Sequence, residues 1–456
     1  MKKFTSIIFV MLIACCFLIS GCSGATLTMP QNYNSTASNG GFVVGVGNYL
    51  YFANAYKGYS TLTQGSDNDG SAVAQHSIKR AEVEANAQNS LVLDEDDKIK
   101  FENVLNKIAG YETSNMFVVG EYLYFTSPNI HKNDSKEEDK YNTYEFELSS
   151  LFRIKLDGSN FDEIYTTETS SAKFYLTGGE NKTLLVFDDS KIMRLNCYAN
   201  ATKLQDLATE VQSTVFPYDQ QLEVQNIYFT ANKEEGSDFT GNVLKVLNLQ
   251  NGEINDVAGY SKDKETITLI SYTGERLFYT RSGLTVSALC SNDFSKGSSS
   301  EKEHKYEITS MTAGATLRVV SNIEDYGVNC FVFEYNNNIF MQDLDADNDN
   351  AYEKLTNATD AKIAFVDGTY VYYTTANGIF RVSVLGEHAV QQVSDITSFN
   401  TTALDFDGRY VYFYASIANA ETQTQYLHRA DVNACASGVI KTECIAELLE
   451  EDIVEE

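Results

Sequence analysis

Short apolar and aromatic runs, each opened by a polar turn, recur along the whole chain. Gly47-Asn48-Tyr49-Leu50-Tyr51-Phe52 is the first and Gly120-Glu121-Tyr122-Leu123-Tyr124-Phe125 the second. Gly274-Glu275-Arg276-Leu277-Phe278-Tyr279, Gly368-Thr369-Tyr370-Val371-Tyr372-Tyr373 and Gly408-Arg409-Tyr410-Val411-Tyr412-Phe413 repeat the pattern. Weaker copies at Thr183 to Val186, Asn226 to Phe229 and Cys330 to Phe333 bring the number to eight. A second apolar run follows most copies: Leu151 to Leu156, Ile192 to Leu195, Leu244 to Leu247, Ile339 to Leu344 and Ile379 to Val384. Runs this short, alternating or wholly apolar and bounded by turn residues, predict β-strands.

The clearest unit spans 361–400. Strands are predicted at Ile363 to Val366, Tyr370 to Thr374, Ile379 to Val384 and Val390 to Val393. Asp367-Gly368 and Asn377-Gly378 supply hairpin turns between them. Four antiparallel strands in about 40 residues make a propeller blade, and the last three copies are indeed 40 residues apart, at Val332, Tyr372 and Tyr412. A single blade cannot bury both faces, so blades must stack around an axis. The fold class expected is therefore all-β: a single β-propeller of four-stranded antiparallel blades over 42–446, with eight blades and seven as the alternative. Longer spacings mark insertions, one at His131 to Asn142 and one at Asp94 to Gly110. In the latter, the spacing of Phe101, Val104, Leu105 and Ile108 predicts a short amphipathic helix. Residues 447–456 form an acidic tail expected to fray.

Composition agrees with strands and turns: 29 Tyr, 26 Phe and 28 Gly, with 3 Pro and no Trp. The N-terminus departs from the repeat. Lys2 and Lys3 precede an apolar run from Phe4 to Ile19, then small residues reach Cys22. This is the form of a signal peptide over 1–21, too short for a comfortable membrane span. Leu18-Ile19-Ser20-Gly21-Cys22 resembles the bacterial lipobox, which implies a diacylglycerol thioether and an acyl chain such as palmitate on Cys22. Two or more acyl chains give stable anchoring. The expected address is the extracytoplasmic side of a cell membrane. Residues 22–41 are small and polar and read as a flexible tether reaching about 24 Å as a coil.

Leu156-Asp157-Gly158-Ser159-Asn160, after Phe152-Arg153-Ile154, resembles the LDGSN turn of YWTD-type propellers of the low-density-lipoprotein-receptor class. Tyr124-Phe125-Thr126-Ser127, Tyr228-Phe229-Thr230-Ala231 and Tyr372-Tyr373-Thr374-Thr375 resemble the family's Tyr-Trp-Thr-Asp position, with Trp replaced and Asp lost. The resemblance implies a propeller. Receptor propellers have six blades, so no ligand site is carried over from them.

The net charge of −29 opposes binding to nucleic acid, which needs a basic footprint. Of the eight cysteines, Cys15 and Cys16 lie in the leader and Cys22 ends it. Cys197, Cys290 and Cys330 read as buried free thiols, whereas Cys435 and Cys444 are close enough in sequence to be a candidate disulfide. No G-x-S-x-G elbow occurs. His76, His131, His304, His388 and His428 show no zinc spacing. Asp343 to Asp349 alternates carboxylates, but it lacks the Gly and Glu of an EF-hand and reads as a solvated hairpin turn. No catalytic, metal or cofactor residue is assigned. The function expected is a non-catalytic platform binding a protein, peptide or glycan. The alternatives are an extracellular hydrolase acting in the propeller funnel and a structural surface protein without a specific ligand.

Overall fold

A computed structural model describes residues 26–37, 40–56, 78–84, 89–105, 113–128, 148–217, 223–232, 241–257, 266–272, 276–282, 287–293, 302–304, 317–323, 328–343, 352–417 and 425–448. Among the described residues, the strands form eight antiparallel sheets that follow one another in chain order.

Sheet 1 contains β1 (Ser35–Ala37), β2 (Val43–Val46), β3 (Tyr49–Ala53), β5 (Ile78–Glu82) and β6 (Phe101–Leu105), while β4 (Ala55–Tyr56) leaves it to join sheet 8. Sheet 2 is β7 (Ser114–Val119), β8 (Tyr122–Pro128), β9 (Ser149–Lys155) and β10 (Asp162–Thr166). Sheet 3 is β11 (Lys173–Leu176), β12 (Leu184–Asp188), β13 (Lys191–Leu195) and β14 (Gln205–Ala208). Sheet 4 is β15 (Val211–Thr214), β16 (Asn226–Asn232), β17 (Asn242–Asn248) and β18 (Ile254–Asp256). Sheet 5 is β19 (Thr266–Tyr272), β20 (Arg276–Ser282), β21 (Ser287–Asp293) and β22 (Lys302–His304). Sheet 6 is β23 (Leu317–Ile323), β24 (Val328–Tyr335), β25 (Asn338–Asp343) and β26 (Tyr352–Lys354). Sheet 7 is β27 (Lys362–Asp367), β28 (Tyr370–Thr375), β29 (Gly378–Ser383) and β30 (Val390–Ser394). Sheet 8 is β31 (Phe399–Phe406), β32 (Tyr410–Ser416), β33 (Gln425–Asp431) and β34 (Thr442–Cys444), with helix α1 (Val432–Ala436) between its last two strands.

Each sheet is a meander in which consecutive strands pair, and the first strands of successive sheets neighbour one another around the centre. The fold is a β-propeller. With β1 counted as an addition to sheet 1 and its strands numbered from β2, every one of the eight aromatic copies falls on the second strand of a sheet, and those strands are largely buried. The core is correspondingly aromatic: Tyr51, Phe52, Tyr124, Phe125, Tyr279, Tyr372, Tyr373 and Tyr412 are almost wholly buried. The ring is closed between sheets 1 and 8. There the Asp405 carboxylate accepts from the backbone N–H groups of Phe42 and Val43, both at 2.9 Å. The Tyr414 hydroxyl donates to the Ala53 carbonyl (3.0 Å), and Ala55 and Tyr56 of β4 pair with Tyr426 and Gln425.

An antiparallel meander separates its connections. Those from first to second strand and from third to fourth lie at one end of the ring, here the turn end. Those from second to third, and the links between sheets, lie at the other, the loop end. The LDGSN turn is at the turn end. The Asp157 carboxylate accepts from the Ser159 backbone N–H (2.9 Å) and hydroxyl (2.6 Å). Gly158 takes φ +81°, and a β-carbon there would crowd the Val104 carbonyl oxygen at 3.0 Å.

Three expectations change. Residues 101–105 form a strand, β6, because their backbone pairs with β5 as the outer edge of sheet 1; Ile108 lies outside the described residues. The tether over 22–41 is docked from residue 26 to 37. The Leu27 N–H donates to the Asp157 carbonyl (3.0 Å), the Thr28 carbonyl accepts from Arg80 (2.7 Å), and the Gly47 N–H donates to the Asn34 carbonyl (3.3 Å). Strand β1 then runs up the axial edge of sheet 1, paired with β2. The tail expected to fray over 447–456 begins with a fixed residue: the Glu447 carboxylate pairs with Lys79 and its backbone N–H donates to Asn54 (2.8 Å), while 449–456 lie outside the described residues.

Candidate functional site

The third strands carry a device that explains the buried charge. Arg80 stands opposite Tyr51 in register, with its guanidinium carbon 4.1 Å from the centre of the Tyr49 ring. Its Nε donates to Glu102 on the fourth strand (2.8 Å), and Nη1 donates to the Leu156 carbonyl of sheet 2 (3.3 Å). Arg153 repeats this against Tyr122 (4.5 Å), Asp162 (2.8 Å) and the Asn200 carbonyl of sheet 3 (3.3 Å). Arg381 does so against Tyr370 (4.2 Å), Gln391 (2.7 Å) and the Val432 carbonyl of sheet 8 (3.0 Å). Arg429 carries it across the seam, from Tyr410 (4.2 Å) and Glu443 (2.7 Å) to the Asn89 carbonyl of sheet 1 (3.2 Å). Arg194 lacks the ring but reaches Gln205 (3.0 Å) and the Leu249 carbonyl of sheet 4 (3.0 Å). Each arginine thus ties its sheet to the third-to-fourth connection of the next. The aromatic pattern alone concealed this; the signal was an Arg at the same place in five of the eight third strands, those of sheets 1, 2, 3, 7 and 8.

Buried acids serve the same end. Asp188 accepts from the Tyr165 hydroxyl (2.7 Å), the backbone of Glu168 and Thr169, and the Thr169 hydroxyl, joining sheets 2 and 3. Glu334 accepts from the Ile363 N–H of sheet 7 (2.5 Å), and Asn242 both donates to and accepts from the Ile267 backbone of sheet 5. Burial pushes the hydroxyls of Tyr51 and Tyr372 and the Cys197 thiol up to about 12, so all three are protonated at neutral pH. Burial pushes His428 down; it stacks on Phe413 with ring centres 5.8 Å apart.

Cys435 and Cys444 do not form the candidate disulfide. Cys435 sits among residues of sheets 7 and 8, its thiol directed to the Val432 carbonyl (3.1 Å), while Cys444 packs into the cluster shared with sheet 1. The two thiols face opposite sides of the last sheet, and burial raises both. Cys197 and Cys330 are buried and in no disulfide. Cys22, His76, His131 and Asp345 to Asp349 lie outside the described residues. Among the described residues no His, Cys, Asp and Glu cluster could hold a metal ion, and no helix is long and apolar enough to cross a membrane.

The surfaces at the two ends differ. At the loop end, the first strand of sheet 4 is bulged: Val211 pairs with Ala231 and Ser213 with Thr230, leaving Gln212 as the extra residue. A bulge re-aims a side chain at a rim, and here the exposed Gln212 amide donates to Asn232. Beneath it the Ser213 and Thr230 hydroxyls meet at 2.8 Å. Thr266, Thr268 and Ser282 of sheet 5 add exposed, uncharged polar side chains, with Glu210 and Lys173 also exposed nearby. Bulges recur in the first strands of sheets 2 and 7, and the threonine of the Tyr-Phe-Thr motif at 126 satisfies the one in sheet 2 by bonding Asn115 (2.9 Å).

At the turn end, apolar side chains are exposed instead. Leu93, Phe161, Tyr198 and Val439 lie in the third-to-fourth connections of sheets 1, 2, 3 and 8. Ile254, Tyr352 and Val390 open the fourth strands of sheets 4, 6 and 7 at that same end, and Tyr33 leads into β1 there.

No protein-family model and no curated protein matches the chain. Solved structures do. The Dos1 propeller aligns with a TM-score of 0.44 at 6% identity, over 89% of this chain and 95% of that one. An oligogalacturonate lyase from Vibrio parahaemolyticus aligns at 0.40 and 10% identity, over 88% and 98%. A prolyl endopeptidase aligns at 0.42 and 9% identity over 74% of this chain, which spans only half (50%) of that protein's length.

Proposed function

We propose that the protein is an exported propeller, anchored to the outer side of a cell membrane by lipid on Cys22, that binds a protein, peptide or glycan at the loop end. The rim of Gln212, Asn232, Thr266 and Ser282 carries this reading. These four side chains are exposed and uncharged in a chain of net charge −29, and they offer donors and acceptors to a polar polymer. It also sits on a ring whose buried ionic groups are committed to holding sheets together, so the rim is rigid and preorganised. Such a surface binds without supplying an acid, a base or a nucleophile.

The test is crosslinking and purification of the anchored protein from intact cells, beside the double variant Gln212→Ala, Asn232→Ala and the turn-end variant Val439→Ser. One abundant partner, lost with the double variant and kept with Val439→Ser, supports the reading. Retention in both removes this rim as the site. Turnover of peptides or polysaccharides by the purified protein would replace the platform with a hydrolase. Cys22→Ala is expected to move the protein from the membrane to the soluble fraction; firm retention of that variant would overturn the anchor.

A further inference from the structure

The docked tether sets a direction for the ring if the anchor is where we place it. Leu27 is fixed at the turn end by its bond to the Asp157 carbonyl (3.0 Å) of sheet 2. Leu27 and Met29 also pack against the main core, Pro30 is buried, and Arg80 holds the Thr28 carbonyl (2.7 Å). Cys22 precedes Leu27 by five residues. Five fully extended residues reach about 17 Å. That is far less than a lipid bilayer's thickness and too short to carry the chain around the ring to its other end. The turn end is therefore the one held near the lipid.

A second observation agrees. Among the described residues, every large apolar side chain that is exposed lies at the turn end, including Leu93 (49%), Tyr198 (51%) and Val439 (56%). Tyrosines and isolated aliphatic side chains of this kind suit the boundary between headgroups and acyl chains. The hairpin holding Leu93 also carries Asp94, Glu95, Asp96 and Asp97 against Lys98 and Lys100, all exposed, so its balance is acidic. Those acids repel anionic headgroups and so favour a zwitterionic surface.

We propose that the turn end is a membrane-facing surface that rests its exposed apolar side chains on the headgroup region of a phospholipid bilayer, turning the loop end and its polar rim outward. This rests on the reading of Cys22 as lipidated. It predicts that the contact weakens as anionic lipid is added.

The lipidated full-length protein is reconstituted into phosphatidylcholine vesicles, with a fluorophore at Tyr198→Cys or Val439→Cys at the turn end, or at Ser170→Cys or Ala376→Cys at the loop end. Lipid spin-labelled at the headgroup should quench the first pair several-fold more than the second. Replacing a third of the lipid with phosphatidylglycerol should reduce that difference. Flotation with the vesicles and equal quenching of the two pairs, stronger quenching of the loop end, or none at either end, overturns the orientation while the anchor stands. Failure of the wild-type protein to float with the vesicles overturns the anchor itself, and the orientation with it.

Discussion

At the scale of single residues, the unusual feature is how little charge is idle inside the ring. Arg153 combines a ring face, a carboxylate and a carbonyl of the next sheet, and it is 7% exposed. Arg153→Ala strands these partners and is expected to cost about 2–3 kcal/mol, read as a lower urea midpoint. Arg153→Lys restores the charge without the planar fork and should remain roughly 1 kcal/mol short of the wild type. Tyrosines give a pH signature. The folded-state values of Tyr51 and Tyr372 are raised from 10.0 to about 12 by burial. Their contribution to stability is full below pH 10 and is lost as pH rises toward 12. Absorbance at the tyrosinate band should therefore show a buried fraction that ionises only with unfolding. His428 acts with the opposite sign. Its value is lowered from 6.5 by burial, so stability is intact above that pH and declines as acid is added. His428→Phe should flatten the mildly acidic part of the stability profile.

At the scale of elements, the pattern of apolar runs located the second strands well, because in a propeller that strand is covered on both faces and its sequence must be apolar and aromatic throughout. The same logic failed for β6. An outer strand is covered on one face only, and Phe101, Val104 and Leu105 happen to repeat at helical spacing while the backbone pairs with β5. The docked tether was illegible for another reason. Its hydrogen bonds come from backbone groups of Leu27, Thr28 and Asn34, which side-chain composition cannot report, and only Leu27, Met29 and Pro30 add apolar packing. The polar rim was equally hidden, since a bulge at Gln212 depends on register across two strands. Turn chemistry was read correctly at Asn377-Gly378. Gly378 takes φ +122°, and a β-carbon there would lie 2.1 Å from the Ser394 carbonyl oxygen. Gly378→Ala should destabilise by about 3 kcal/mol or more, whereas Gly252→Ala, at φ +75° with open space around it, should cost about 1 kcal/mol. Equal losses in thermal unfolding would show that backbone strain alone, rather than the collision, governs both.

At the scale of the whole molecule, the ring is finished by contacts between its first and last sheets. Asp405 is central, accepting from two consecutive N–H groups of sheet 1. Asp405→Ala is expected to lower stability by about 2–3 kcal/mol. Because the seam joins the two ends of the chain, hydrogen exchange should quicken in sheets 1 and 8 before sheets 4 and 5. Uniform loosening of all sheets would mean that opening the seam unfolds the ring as one unit. The seam also bears on how such a protein is made. The partners that close it, Val43 and Asp405, lie 362 residues apart. A nascent chain emerging N-terminus first must keep sheet 1 waiting, one flank bare, until almost the whole polypeptide has emerged. Folding of this protein is therefore limited by delivery of its C-terminal residues. A chain truncated before residue 405 would be left with exposed aromatic strands and no means of covering them.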